Sequence, residues 1–170
     1  MKKFILTIII FLISWNSFSQ ESDYLEAFLK KWDNSKEYLL DIAELMPEEY
    51  YSFKPTERQL SFSGQLEHIN QNMTWINSDY IQQNKELDKT EFPTIKADII
   101  KEISKSFDLV SENVKNLSDE KLKQKMSFFS GEMNLLQILN LIQDHVTHHR
   151  GQLIVYLNLK GIEPPPYRGW

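Results

Sequence analysis

The residues of this chain best suited to chemistry are its histidines. There are four in 170 residues, and three of them, His145, His148 and His149, lie within five positions. Imidazole carries a lone pair in its neutral form and titrates near neutrality, so clustered histidines serve as metal ligands, proton carriers or pH-sensitive contacts. Cysteine is absent. That removes disulfides, thiolate catalysis and every cysteine-ligated metal or iron–sulfur centre. A metal here would be held without thiolate, and a thiol in any reaction would arrive with the substrate.

The three histidines fall in a segment of helical periodicity. With residues set at 100° intervals, Leu135, Leu139, Ile142, Val146, Leu153 and Leu157 share one face. On the same wheel His149 lies inside the apolar stripe, His145 on its border and His148 on the polar side. His145 and His149 are spaced i, i+4, which stacks their rings along one edge of the core face with Cβ atoms about 6 Å apart. Imidazoles at a buried edge need partners. A divalent cation taking a lone pair from each ring would supply them, and so would side chains or water; the spacing accommodates both. The fourth histidine, His68, lies on a different periodic segment, about 110° from the centre of its stripe, beside Asn72 and Trp75. Periodicity by itself puts it at the surface, although a helix packed against two neighbours buries more than one stripe.

Four segments carry this periodicity. The first runs from Asp23 to about Leu45, with Ser22 as its cap and Pro47 as its stop. An aromatic loop with Tyr50, Tyr51 and Phe53 follows, suited either to capping the end of a bundle or to walling a pocket. The second helix spans about Ser63 to Gln83, on a stripe of Leu66, Ile69, Met73 and Ile76. The third spans about Ile95 to Asn116 with Thr94 as its cap. A connector opens at Leu117, with a short helical turn capped by Ser118. The fourth helix spans about Glu132 to Lys160, where Gly161 takes the position after the cap and Pro164-Pro165-Pro166 forbids continuation. The tail to Trp170 has no helical signal and is suited to folding back near the histidines or to a subunit contact. No run of period-two alternation competes. The expected fold is all-α, a four-helix bundle in which residues 117–131 are long enough for a crossover connection.

The N-terminus has a different character. Lys2 and Lys3 precede an apolar run from Phe4 to Ile13, and Ser17 and Ser19 supply small residues before Gln20. This is the pattern of a secretory signal peptide over residues 1–19, leaving a bundle domain over 20–170. The apolar run is short of the roughly 20 residues that span a bilayer. The expected location is therefore periplasmic or secreted, with no stable membrane anchor after cleavage. A net charge of −5 argues against a nucleic-acid partner, which calls for a basic face.

Three stretches together resemble a known family. His145-Val-Thr-His-His-Arg-Gly-Gln152 resembles the His-x-x-His-His-Arg-Gly-Gln motif of the DinB-like (damage-inducible) superfamily. Tyr51-Ser-Phe-Lys-Pro-Thr-Glu-Arg-Gln-Leu-Ser-Phe62 with Leu66-Glu-His-Ile69 resembles its upstream signature, and Leu159-Lys-Gly-Ile-Glu-Pro-Pro165 resembles its C-terminal end. The resemblance implies a four-helix bundle with a long crossover and a divalent metal held by His68, His145 and His149. His148 is then left for solvent or a subunit contact, and Gln152 for a supporting place beside the ligands or a surface amide. Three neutral imidazoles leave a coordination position open, the catalytic pattern. Zinc suits this ligand set, with nickel and iron(II) also compatible. The implied function is a metal-dependent hydrolase or transferase acting on a small-molecule substrate; some members of the family use a low-molecular-weight thiol. The alternative is a non-catalytic module with a structural metal. A homodimer is the assembly the resemblance favours. Glu67 and Asp144 each adjoin a ligand in sequence, but helix neighbours point about 100° apart, so both read as solvated or as supports beside the ligands rather than catalytic.

Overall fold

Apolar residues recurring every three or four positions form helices in all four segments that show them. The computed structural model describes residues 19–84 and 91–170, with side chains from Asp23 onward. The expected signal peptide, apart from its last position, lies outside the described residues. Helix α1 is Ser19–Leu45, α2 is Phe62–Ile76, α3 is Lys96–Lys115, α4 is the short Asp119–Lys123 and α5 is Leu135–Leu159. Two strands, β1 (Lys125–Phe128) and β2 (Gly131–Asn134), precede α5 as an antiparallel hairpin. Helix α1 packs on α3 and α5, and α2 packs on the same two. The pairs α1/α2 and α3/α5 thus face each other across the diagonals. The connection from α3 to α5, carrying α4 and the hairpin, is the crossover expected of residues 117–131.

Burial follows the apolar stripes. Trp32 of α1 is fully buried; its ring lies 4.7 Å from that of Phe107 on α3, and its Nε1 donates to the Phe107 carbonyl at 3.1 Å. The large ring is therefore buried with its one polar atom satisfied. The aromatic loop caps this core. Tyr51 donates from its hydroxyl to the Ala43 carbonyl at 2.8 Å and packs its ring 5.2 Å from Phe62. The C-terminal tail folds back on α1: Tyr167 meets Tyr38 edge-on, Arg168 pairs with Asp41 at 3.1 Å, and Asn34 donates to the Trp170 carbonyl.

Helix ends show where local signals held and where they did not. Ser118 caps α4, accepting from the Lys121 N–H. Gly161 sits at φ +71°, and the N–H groups of Gly161 and Ile162 close on the carbonyls of Asn158 and Leu157, both at 3.0 Å. This left-handed closure is the helix stop that glycine permits. Ser22 is internal to α1 and not its cap. Thr94 is not the cap of α3 either; Ile95 holds that position and offers no side-chain acceptor. The α2 helix ends in a π-helical stretch, Asn77–Gln82, closed by Gln83 at φ 60°.

The hairpin corrects the expectation of helix alone between Glu132 and Lys160. Helix α5 begins at Leu135 because Asn134 and Gln137 form a reciprocal capping box, each side chain bonding the other's backbone N–H at 2.9 Å. Upstream, inward Met126 and Phe128 alternate with outward Lys125 and Ser127, a period-two run too short to stand out in sequence. Tertiary packing stabilises it. Phe128 is buried against Trp75 and Tyr80, with ring centroids at 5.5 and 5.1 Å. Lys125 pairs with Glu132 across the strands at 2.7 Å.

Candidate metal centre

Helices α2 and α5 pack together along the seam that carries the histidines. The rings of His68, His145 and His149 form a triangle, with centroids 4.9, 4.6 and 4.5 Å apart. One nitrogen from each lies within 4.8 Å of the others, and all three residues are half-buried. His68 is thus inside the site, although its own helix's periodicity put it at the surface. Helix α2 touches both α3 and α5, so it buries a second strip beside its main stripe. His145 Nε2 and His68 Nε2 stand 3.2 Å apart. Two nitrogens bound to one tetrahedral zinc at about 2.0–2.1 Å would be separated by about 3.3 Å. The spacing also suits an N–H···N hydrogen bond in the metal-free protein.

The electrostatics keep the rings of His145 and His149 neutral. His145 and His149 are both pulled from 6.5 down to about 4, first by burial and then by the charge that neighbouring histidines would carry. At neutral pH both rings offer lone pairs without first losing a proton, which is what a metal ligand requires. Among the described residues no carboxylate joins the cluster. Glu67 is half-buried and accepts from Gln71 Nε2 at 3.1 Å, and Asp144 is exposed. His145 Nδ1 is buried and lacks a partner among the described residues. Three imidazole nitrogen donors with no carboxylate among them fit a borderline divalent cation.

Beside the cluster lies a polar chain centred on Gln65, a residue that periodicity alone does not single out. Gln65 is buried on α2, one turn before His68. Its Oε1 is 2.6 Å from His149 Nδ1. Its Nε2 donates to Gln152 Oε1 at 2.8 Å and to the Tyr156 hydroxyl at 3.2 Å. The Tyr156 hydroxyl in turn donates to the Leu60 carbonyl at 2.8 Å. Gln152 therefore reaches the histidines through Gln65, and its own Nε2 lies 3.0 Å from His148 Nε2. His148 is exposed and its ring meets His149 edge-on at 4.9 Å, outside the triangle, as its polar-side wheel position predicts. The sequence signal that could have found Gln65 is an amide at i−3 from a histidine on a face otherwise committed to the core. Arg150, adjacent to His149, serves a different seam. It is buried with its guanidinium 4.9 Å from the Tyr38 ring of α1, and Nη1 has no hydrogen-bond partner among the described residues.

Comparisons with known proteins agree with this fold. The model of the DinB family matches residues 19–169. The fold is similar to a crystallographically solved DinB-like protein of Bacillus cereus, with a TM-score of 0.73 and 22% identity over 84% of this chain and 96% of that one. It is also similar to a DinB-like protein of Bacillus subtilis, with a TM-score of 0.67 and 21% identity over 87% of this chain and 99% of that one. At those identities the likeness shows the fold. No curated relative matches the sequence.

Proposed function

The chain belongs to the DinB family, and from that premise we propose that it binds a divalent metal through His68, His145 and His149 and uses it as an enzyme acting on a small molecule. The observation that carries this reading is the convergence of three half-buried histidines with no fourth protein ligand among the described residues. A saturated structural site would call for a fourth donor, whereas three donors leave a position for water or substrate. When bound, the ion supplies Lewis acidity, the chemistry that makes water or a thiol nucleophilic near neutral pH. The chain's own part is to hold three imidazole nitrogens in place, with no carboxylate beside them among the described residues. Hydrolysis and transfer are both compatible with such a site. Zinc suits the donors, and nickel or iron(II) would be accepted by the same set.

The leader-like residues 1–19 support a reading in which the protein works outside the cytoplasm. That favours hydrolysis, since low-molecular-weight thiols are mainly cytoplasmic. Sequencing the N-terminus of the native protein tests it: a start at Gln20 is expected, and retention of Met1 would overturn it.

The metal reading is tested by metal analysis of the purified protein, zinc-dependent melting and cobalt substitution. We expect one bound ion per chain, a rise in melting temperature with zinc, and a cobalt spectrum that changes when azide is added. No bound metal and no zinc-dependent melting would refute metal binding. A cobalt spectrum indifferent to azide would favour the alternative, a structural metal in a non-catalytic module.

A further inference from the structure

We propose that Gln65 is a positioning residue that holds His149 in a single tautomer, with the proton on Nδ1 and the Nε2 lone pair free, before any metal arrives. The argument starts from an atom with no freedom. The Leu60 carbonyl can only accept, so the Tyr156 hydroxyl at 2.8 Å donates its one proton there. Tyr156 is then an acceptor toward Gln65, and the Gln65 atom 3.2 Å from it must be the amide nitrogen. That orientation puts Gln65 Oε1, which has no proton, 2.6 Å from His149 Nδ1. His149 Nδ1 carries the proton and donates it, and Nε2 is the bare nitrogen. The same nitrogen of Gln65 donates to Gln152 Oε1 at 2.8 Å, so Gln152 presents its NH₂ to His148 Nε2. One backbone carbonyl thereby sets four side chains in sequence. Each donor in the chain meets an acceptor, and Gln65 itself is buried, where an amide cannot turn over without stranding its bonds.

The consequence for metal binding rests on the reading above. Partners of a ligating histidine's second nitrogen fix its ring and tautomer, and losing one costs about 10- to 100-fold in metal affinity. Gln65→Leu removes the acceptor. Gln65→Glu keeps an acceptor for His149 Nδ1 while giving up the donation to Gln152 and Tyr156.

The experiment is long-range proton–nitrogen NMR of the metal-free protein at neutral pH, which reads the tautomer of each histidine directly, followed by zinc titration against a chelator. In the wild type, His149 is expected as the Nδ1–H form alone. Gln65→Leu should show a mixture of tautomers and bind zinc about 10- to 100-fold more weakly, and Gln65→Glu should restore the Nδ1–H form. A wild-type His149 protonated on Nε2 overturns the proposal without recourse to any variant. So does a folded Gln65→Leu protein with an unchanged His149 spectrum. A wild type that shows the Nδ1–H form but binds no zinc upholds the positioning role and refutes the metal reading instead.

Discussion

Acidification of the metal-free protein should expose the strain of holding two imidazoles neutral. His145 and His149 have values near 4 in the fold against 6.5 for a free histidine. Between those limits the unfolded chain binds more protons than the folded one, so stability rises with pH over that interval and is lost as pH falls through it. Each ring's shift is worth at most about 3.4 kcal/mol at 1.36 kcal/mol per unit. Both rings are half-buried, and solvent screening removes roughly half of that ceiling. Their mutual repulsion is one interaction and counts once. The pair should therefore contribute about 2–3 kcal/mol of pH-dependent stability. Carboxylates titrate in part of the same range, so the contribution is read as a difference. Urea denaturation of the wild type and of a His145→Gln/His149→Gln variant, from neutral pH to about pH 4 with chelator present, gives two stability curves. The wild type should lose about 2–3 kcal/mol more than the variant, with most of the divergence below pH 6.5. Parallel curves would refute the reasoning, since they would mean that the rings are protonated in the fold as readily as in solution.

Three further outcomes follow from the packing. His148→Ala should leave zinc affinity within about threefold of wild type and stability within about 0.5 kcal/mol, because His148 is exposed and lies outside the triangle; a larger loss of zinc affinity by chelator titration would place it among the ligands. Gly161→Ala should destabilise by about 1 kcal/mol in urea denaturation, since a Cβ there has open space but must adopt φ +71°; an unchanged midpoint would refute the left-handed stop. Phe128→Ala should cost about 3 kcal/mol by removing the ring that anchors the hairpin on Trp75 and Tyr80, while the folded variant keeps its zinc affinity in the same titration; a negligible loss of stability would mean that the hairpin does not depend on that contact.

The reach of the sequence can be followed residue by residue. Properties confined to one helix were legible: the stripes that bury α1, α2, α3 and α5, the stop at Gly161, the cap at Ser118, and the i, i+4 pairing of His145 and His149 with His148 turned outward. Each depends on spacing along a single helix, and helical geometry converts spacing into direction. The absence of cysteine likewise restricts any metal to ligands other than thiolates. What lay beyond that reach depends on contacts between elements. His68 entered through a family resemblance, because its own wheel points it away from its stripe, and only the packing of α2 on both α3 and α5 makes that strip interior. The hairpin was missed because four residues of alternation carry almost no signal, and its stability comes from Phe128 meeting Trp75 and Tyr80 on another element. Gln65 and His149 become partners only when two helices distant in sequence bring an amide oxygen and a ring nitrogen to 2.6 Å. Spacing along one helix settles which way a side chain points, while the identity of the atom it meets is settled by packing between helices.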